Sequence, residues 1–335
     1  MKIRFYYKYY FFSRIKIEII LISFVLYSFL FYPVNKNFNG KKNIKIALCT
    51  MGKRENLYVK EFIEYYIKLG IDQIFIYDDN DPKIEKIQQS IDKKYQNNVT
   101  VYEIRNSHIK NQSIAFSECY ANNSNRFDWF LMVDMDEYLY TINDSLKEYL
   151  TSKRFNKCDF IKFHWVLPTD NDLLYYDPRP LFERFRPPYI KSEFIKSIIR
   201  GNISNLKYWV HSPFISPKRN ITCNNFGRRI YYKNMNFETI SPKNTKKAYI
   251  IHFKYKSTEE LINKFKRGYN DWFKDDLQKY LNSIIKEYLT INKATPEKVK
   301  FIEKELNLNL SNMIKDINKK QKYKPIFKKF FGIFH

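Results

Sequence analysis

From residue 44 onward the chain alternates two hydrophobic periodicities. Ile44 to Cys49 is a short apolar run of the kind that forms a buried strand. Tyr58, Phe62, Tyr65 and Leu69 then recur at helical spacing, and Gly70 is placed to stop that helix. Gln73 to Tyr77 reads as a second strand and runs into Asp78-Asp79-Asn80-Asp81-Pro82, a turn signal. The pattern next predicts a lysine-rich helix, a third strand over Val99 to Ile104, a helix around Gln112 to Tyr120, a fourth strand over Trp129 to Val133 and a fifth over Phe160 to Trp165. Strands alternating with helices predict an α/β domain with a mostly parallel sheet flanked by helices. Such sheets bind ligands beyond the carboxyl ends of their strands. Three polar clusters fall there: Thr50 to Asn56, Asp78 to Asp81 and Asp134 to Glu137. No GxGxxG follows the first strand, which disfavours a dinucleotide cofactor.

The two ends differ from this middle. Ile19 to Tyr32, IILISFVLYSFLFY, carries no charge. A spanning helix needs about 20 mostly apolar residues. Ile15 and Ile17 extend the run, and Lys16 can snorkel. Pro33-Val34-Asn35-Lys36 offers no small-x-small cleavage site, so the expectation is an uncleaved anchor rather than a signal peptide. The predicted layout is a basic tail over 1–16, an anchor over 17–33, a stem over 34–43, a catalytic domain over 44–275 and a helical extension with a basic aromatic tail over 276–335. Lys2, Arg4 and Lys8 favour a cytoplasmic N-terminus, which Lys36, Lys41 and Lys42 on the far flank oppose. Thr295-Pro296-Glu297 opens a helix with an apolar stripe of Val299, Ile302 and Leu306. Lys315 to His335 mixes lysines with Tyr323, Phe327, Phe330, Phe331 and Phe334, which suits a membrane interface or a solvated basic tail.

The formal net charge is +24. Part of it reflects a general bias toward Lys, Asn, Ile and Tyr. The rest is compatible with an anionic membrane surface, an acidic substrate or nucleic acid. A nucleic-acid-binding protein would show its basic and aromatic residues interleaved on a folded face, and only the C-terminal tail has that pattern. Cys49, Cys119, Cys158 and Cys223 include no CxxC, so neither a zinc knuckle nor a redox motif is expected, and their spacing leaves the redox compartment open. Sequons such as Asn98-Val99-Thr100 and Asn220-Ile221-Thr222 are expected by chance in so Asn-rich a chain.

The chemistry is concentrated in Phe130-Leu131-Met132-Val133-Asp134-Met135-Asp136-Glu137-Tyr138. Two carboxylates at i and i+2, where the chain leaves a strand, can reach one oxygen-loving cation, Mn2+ or Mg2+, that also binds diphosphate oxygens. Acidic residues also solvate ordinary loops, so position decides, and here the motif follows the fourth strand of an α/β series. A haloacid-dehalogenase-type phosphatase also places Asp-x-Asp after a buried strand. Against it, three strand–helix units precede the motif, Tyr138 stands where a small residue is expected, and no clear late Gly-Asp pair appears.

IALCTMGKRENLYVKEFIEYYIKLGIDQIFIYDDND and DWFLMVDMDEY resemble the family 92-like glycosyltransferases of the GT-A fold, related to family 2. Shorter pieces fit as well: LFERF at Leu181, IKSIIR at Ile195, His211 in WVHSPF and IIHF at Ile250. The likeness covers about residues 44 to 272. It implies an inverting, nucleotide-sugar-dependent hexosyltransferase with a glycan or glycoconjugate acceptor, and a donor that is a UDP-sugar. Nucleoside contacts would map onto Arg54, Glu55 and Asp78 or Asp79, the cation onto Asp134 and Asp136, and a late metal-binding histidine onto His252. His211 is a candidate donor or acceptor contact. Lys196 and Arg200, four apart on a helix face or loop, are candidates to grip the diphosphate, Asp134 also facing the donor. Inversion needs a general base. The candidates are Asp170, Asp172 and Glu183, the last with Phe182 and Phe185 beside it to raise its pKa. An anchored enzyme of this kind would be a single-pass membrane protein, of the Golgi type II form in a eukaryote and of the inner membrane in a bacterium.

Overall fold

The computed structural model describes residues 43–105, 111–142, 145–209, 211–214, 220–230, 247–267 and 277–319. The expected anchor, nearly all of the stem and residues 320–335 of the tail lie outside the described residues. Among the described residues no helix is long and apolar enough to cross a membrane.

Strands β1 (Ile46–Gly52), β2 (Gln73–Asp78), β3 (Val99–Glu103) and β4 (Trp129–Met132) lie in the order β3-β2-β1-β4, all parallel. The apolar runs of β1, β2 and β4 are buried on both faces, as parallel strands under helices must be, while the edge strand β3 is partly exposed. Helix α1 (Asn56–Leu69) turns Tyr58, Val59, Phe62, Ile63, Tyr66 and Leu69 inward. Gly70 ends it in the left-handed region, φ 105°, where its N–H donates to the Ile67 carbonyl. Helix α2 (Gln112–Asn123) places Phe116, Cys119 and Tyr120 against Ala47, Cys49, Phe130 and Met132. Each fully buried side chain of this size is worth about 1.5–3 kcal/mol.

The second half departs from the expected parallel sheet. The path continues β4-β7-β6-β11-β5, through β5 (Glu137–Thr141), β6 (Phe160–Leu167), β7 (Ile190–Arg200) and β11 (Ala248–His252). Strand β7 is antiparallel to both β4 and β6, and β11 is antiparallel to β5, so the sheet is mixed. Two further short strands, β8 (Lys207–Tyr208) and β9 (Pro213–Phe214), form a hairpin, and β10 (Thr222–Asn224) pairs with β6. The lysine-rich helix after β2 is not there. Two 3-10 turns, Ile87–Ser90 and Lys93–Asn98, take its place. Asp78 explains the first, because its Oδ2 accepts the Ile87 N–H at 2.8 Å and fixes the chain in a turn.

Short helices α3 (Leu146–Thr151) and α4 (Leu181–Arg184) precede three longer ones, α5 (Thr258–Lys266), α6 (Leu277–Ile291) and α7 (Pro296–Leu306). Thr295 caps α7 and Pro296 opens it, as its sequence predicts. The C-terminal helices are not a separate extension. Ile285, Tyr288, Leu289 and Ile302 share one apolar cluster with Tyr255, Leu261 and Ile262. All four cysteines are paired, Cys49 with Cys119 and Cys158 with Cys223, over Cα distances of 6.3 and 5.8 Å. The first bridge ties α2 to β1, and the second ties β10 to the turn before β6.

Candidate functional site

The Asp-x-Asp turn joins β4 to β5 at the carboxyl end of the parallel strands. The Glu137 N–H donates to the Asp134 carbonyl at 3.1 Å, and the Asp134 N–H donates to Glu137 Oε2 at 2.9 Å. Helix α1 braces the turn, since Tyr66 Oη donates to the Glu137 carbonyl at 2.7 Å. Gly52, at the end of β1, admits Met135, because a Cβ there would collide with its Sδ.

Register carries His252 to the turn. Strand β11 pairs with β5 so that His252 faces Glu137, and the Phe253 N–H donates to the Asp136 carbonyl at 2.8 Å. His252 Nε2 then lies 3.3 Å from Asp136 Oδ1, while its Nδ1 lies 3.8 Å from Glu137 Oε1. Trp165 packs on the imidazole from one side and reaches His211 as well, with ring centroids 4.3 and 5.0 Å apart. Asp134, Asp136, Glu137, His252 and His211 are thus one neighbourhood.

Two lysines occupy it too. Lys196 Nζ, fully buried on β7, sits 3.1 Å from Asp134 Oδ2 and 3.5 Å from Glu137 Oε2. Lys264 Nζ on α5 sits 2.9 Å from Asp136 Oδ2. Gln112, the first residue of α2, donates to Asp134. Burial works against the charge of Asp136, but Lys264 and then His252 hold its carboxyl well below the usual range. Burial pushes Glu137 well above that range, with Lys196 opposing. Burial also lowers His252, and Asp136 does not reverse it, so the imidazole is neutral near pH 7 with a lone pair to offer. His211 is driven down to about 2 by burial, with Lys196 and His252 adding to it.

The loops after β1 and β2 form a second polar surface. Asp78 is a buried scaffold residue whose Oδ1 accepts the Asn80 N–H at 2.9 Å. Asn80 in turn accepts the N–H of Arg54, whose φ is +55°. The Arg54 guanidinium pairs with Asp81 at 2.9 Å, and Asp79 lies between Lys53 at 3.7 Å and Arg105 at 3.6 Å. Glu55 is buried between Lys256 at 3.3 Å and Arg267 at 2.7 Å. Arg267 also donates to the Lys53 carbonyl at 2.6 Å, so the end of α5 joins this surface to the acidic turn.

Four of the expected site residues sit in settings other than those expected. Lys196 and Arg200 lie on strand β7, not on a helix, and four strand residues span about 13 Å. Arg200 faces Trp129 at the amino end of β4, where its guanidinium donates to the carbonyls of Cys158 and Phe155, each at 2.9 Å. It is a structural clasp, away from the carboxyl ends. Asp170 is 2% exposed and bound by Lys298 at 2.7 Å and by Tyr288, so its carboxylate clamps α6 and α7 to the domain instead of receiving a proton from an acceptor. Glu183 is exposed on α4 and not enclosed by its phenylalanines, and neighbouring Arg184 pairs with Glu260 at 3.0 Å. Sequence reasoning missed Gln112 and Lys264. Lys264 reads in sequence as ordinary solvated charge on an amphipathic helix, and only the fold carries it to Asp136.

The model of the glycosyltransferase family 92 domain matches residues 42–288. Among curated relatives, a family 92 protein of Oryza sativa subsp. japonica is 29% identical over 129 residues, 37% of this chain and 21% of the relative. Another from Ricinus communis is 27% identical over 103 residues, 30% and 18% of the two chains, and one from Arabidopsis thaliana is 30% identical over 96 residues, 29% and 16%. The matched stretch therefore spans about a fifth of each relative's length. Crystal structures of S. aureus TarS and of TarS 1-349 align over 74% of this chain, and 43% and 71% of theirs, at 14% identity and TM-scores of 0.32 and 0.34. The family match runs from the start of the described fold into α6 and encloses the whole acidic turn, and the chain belongs to glycosyltransferase family 92.

Proposed function

We propose that this chain transfers a hexose from a nucleotide-sugar donor, a UDP-sugar, to a glycan or glycoconjugate acceptor, with inversion and with the help of Mn2+ or Mg2+. The observation that carries this reading is the convergence of Asp134, Asp136 and His252 at the carboxyl end of β4 within a family 92 domain.

The donor set suits a divalent cation: two carboxylates and a neutral imidazole. Among the described residues no three His, Cys, Asp or Glu side chains form a ready metal cage, and Lys196 and Lys264 lie on the carboxylates. Two buried atoms without hydrogen-bond partners support the fit, Glu137 Oε1 and His252 Nδ1. They face each other, so that Glu137 can hold the outer nitrogen of a ligating His252, as carboxylates behind metal-bound histidines do. Asp134, Asp136 and His252 Nε2 would hold the cation, which when bound supplies charge neutralisation for a leaving nucleoside diphosphate. Arg54, Glu55 and Asp79, on the loops after β1 and β2, are the candidates to orient the nucleoside. Trp165 and His211 wall the neighbourhood on the side of His252. Glu183, exposed on α4, remains the candidate base for an acceptor hydroxyl.

Both disulfides point to an oxidising compartment. With a cytoplasmic N-terminus and an anchor over 17–33, such a domain would be lumenal in the Golgi type II form in a eukaryote, and periplasmic on the inner membrane in a bacterium. A test separates this function from its rivals. The full chain in detergent is given a panel of nucleotide sugars with Mn2+, a phosphatase ester and labelled DNA. Release of nucleoside diphosphate with a β-linked product from an α-linked donor supports the reading. Ester hydrolysis or DNA retention without sugar turnover contradicts it.

A further inference from the structure

The two lysines on the acidic turn are not equivalent. The Lys196 side chain is 0% exposed and lies between Asp134 and Glu137 on a central strand. The Lys264 side chain is 24% exposed and extends from the last turn of α5 to Asp136 and to the Lys254 carbonyl at 3.2 Å. Resting on the function proposed above, we propose that Lys264 is an exchangeable counter-ion: it holds Asp136 while the divalent cation is absent and passes to the donor diphosphate when the cation takes Asp136.

Charge balance motivates the exchange. Lys264 faces Asp136, and Lys196 lies between Asp134 and Glu137. A divalent cation adds two positive charges, and the dianionic diphosphate of a nucleotide sugar cancels them. No net charge is buried if Lys264 keeps company with whichever anion the cation leaves uncovered. The reverse order is costly. Asp136 is only 6% exposed, and removing its lysine with no replacement leaves a buried charge uncompensated. The release of Lys264 is therefore coupled to the arrival of the cation.

Helix α5 is built for this role. Ser257 and Glu260 form a capping box that fixes its start. Arg267, three residues beyond Lys264 and on the same helical face, anchors its end to Glu55 and the Lys53 carbonyl in the loop proposed to meet the nucleoside. Between these fixed points Lys264 keeps a flexible stem and a compact ammonium with rotatable donors, suited to trading one oxygen anion for another. Lys264 thus lies on α5 between Asp136 and the loop that Arg267 holds.

The test measures Mn2+ alone, by electron paramagnetic resonance of the free ion, and then UDP at saturating Mn2+ by calorimetry, on the full-length protein with Lys264→Ala and Lys264→Gln. Thermal melts confirm folding. Both variants should bind Mn2+ roughly tenfold more tightly than wild type, because no ammonium has to be displaced, and bind UDP roughly tenfold more weakly, as for loss of a charge-assisted hydrogen bond. Unchanged or weaker Mn2+ binding, or unchanged UDP binding, in folded variants overturns the exchange while leaving the glycosyltransferase reading intact. Wild-type protein that binds neither Mn2+ nor UDP contradicts both.

Discussion

Two buried carboxylate–lysine pairs in this molecule look alike on paper and differ in what surrounds them. Asp170 and Lys298 are each 2% exposed in their side chains, and Tyr288, Asn292 and the Asp172 N–H complete the shell of Asp170. The carboxylate is held by Tyr288, the Asp172 N–H and Lys298, and the pair links the loop after β6 to the last helices. Asp136 and Lys264 sit in a more open shell. The lysine is partly exposed, the facing imidazole is neutral, and a buried carboxylate oxygen and a ring nitrogen behind it have no hydrogen-bond partner. A closed ionic cluster holds structure together. What separates the two is the reach of the counter-ion: the Lys264 side chain is 24% exposed and that of Lys298 only 2%.

The widest separation between the pairs should come from truncating each carboxylate. Asp136→Ala should lower turnover of the nucleotide sugar by on the order of a hundredfold or more, since several kcal/mol of transition-state charge stabilisation is lost. Its stability should change by only about 1 kcal/mol, because Lys264 can relax into water. Asp170→Ala should do the opposite. Leaving buried Lys298 with only the exposed Asp172 carboxylate at 3.5 Å should cost about 3–5 kcal/mol of stability, measured by urea unfolding, with turnover per folded molecule preserved. Loss of turnover in a fully folded Asp170→Ala protein would return Asp170 to the chemistry.

The disulfides sharpen the same contrast from the structural side. The Cys158–Cys223 bridge closes a loop with a sequence separation of 65 and lies beside the Arg200 clasp. Replacing both cysteines by Ser should cost about 2–4 kcal/mol, read by thermal or urea unfolding, with little effect on UDP affinity. Arg200→Met removes a group hydrogen-bonded to three backbone carbonyls and should cost about 1–3 kcal/mol. Its UDP affinity should match wild type by calorimetry, whereas a tenfold loss would show that the guanidinium meets the donor after all.

The parallel half of the domain was readable from the chain because its strands are unbroken apolar runs, and the Asp-x-Asp stood out as polar residues ending one of them. The second half hid for a physical reason. Strand β7 reads IKSEFIKSIIR, and its Lys196 and Ser197 are fully buried. A polar residue inside a sheet breaks the apolar pattern wherever its partner comes from elsewhere in the fold. Lys196 is buried because Asp134 and Glu137 await it, so the site itself masked the strand that carries it. Strand β5 hid in the same way behind Glu137. The cysteine pairs were illegible because they are set by α2 packing on β1 and by β10 lying beside β6, not by spacing along the chain. His252 could be suspected from the family likeness, but its meeting with Asp136 depends on the antiparallel pairing of β11 with β5.

The smallest expected effect concerns Glu55, where the loop after β1 meets α5. Burial raises its carboxyl, yet Lys256 and Arg267 outweigh that and hold it below its usual value. A depressed carboxyl stabilises the fold above its unfolded value, near 4.5, and loses that contribution as pH falls through the lower folded value. The stability gap between wild type and Glu55→Gln, from urea midpoints, should therefore be constant from about pH 6 to 8 and shrink on acidification below about pH 5. A gap that widens there would mean that Lys256 and Arg267 do not govern the group.

The central claim is that the acidic turn works as a cation-assisted nucleotide-sugar site. Its most direct test is donor hydrolysis by the full-length protein, titrated with Mn2+ after removal of all divalent ions, for wild type and Asp136→Ala side by side. The account predicts nucleoside diphosphate release that is absent in excess EDTA, returns with added Mn2+ in wild type and fails to return in the variant. Full hydrolysis in excess EDTA, or equal rates for the two proteins, would contradict it.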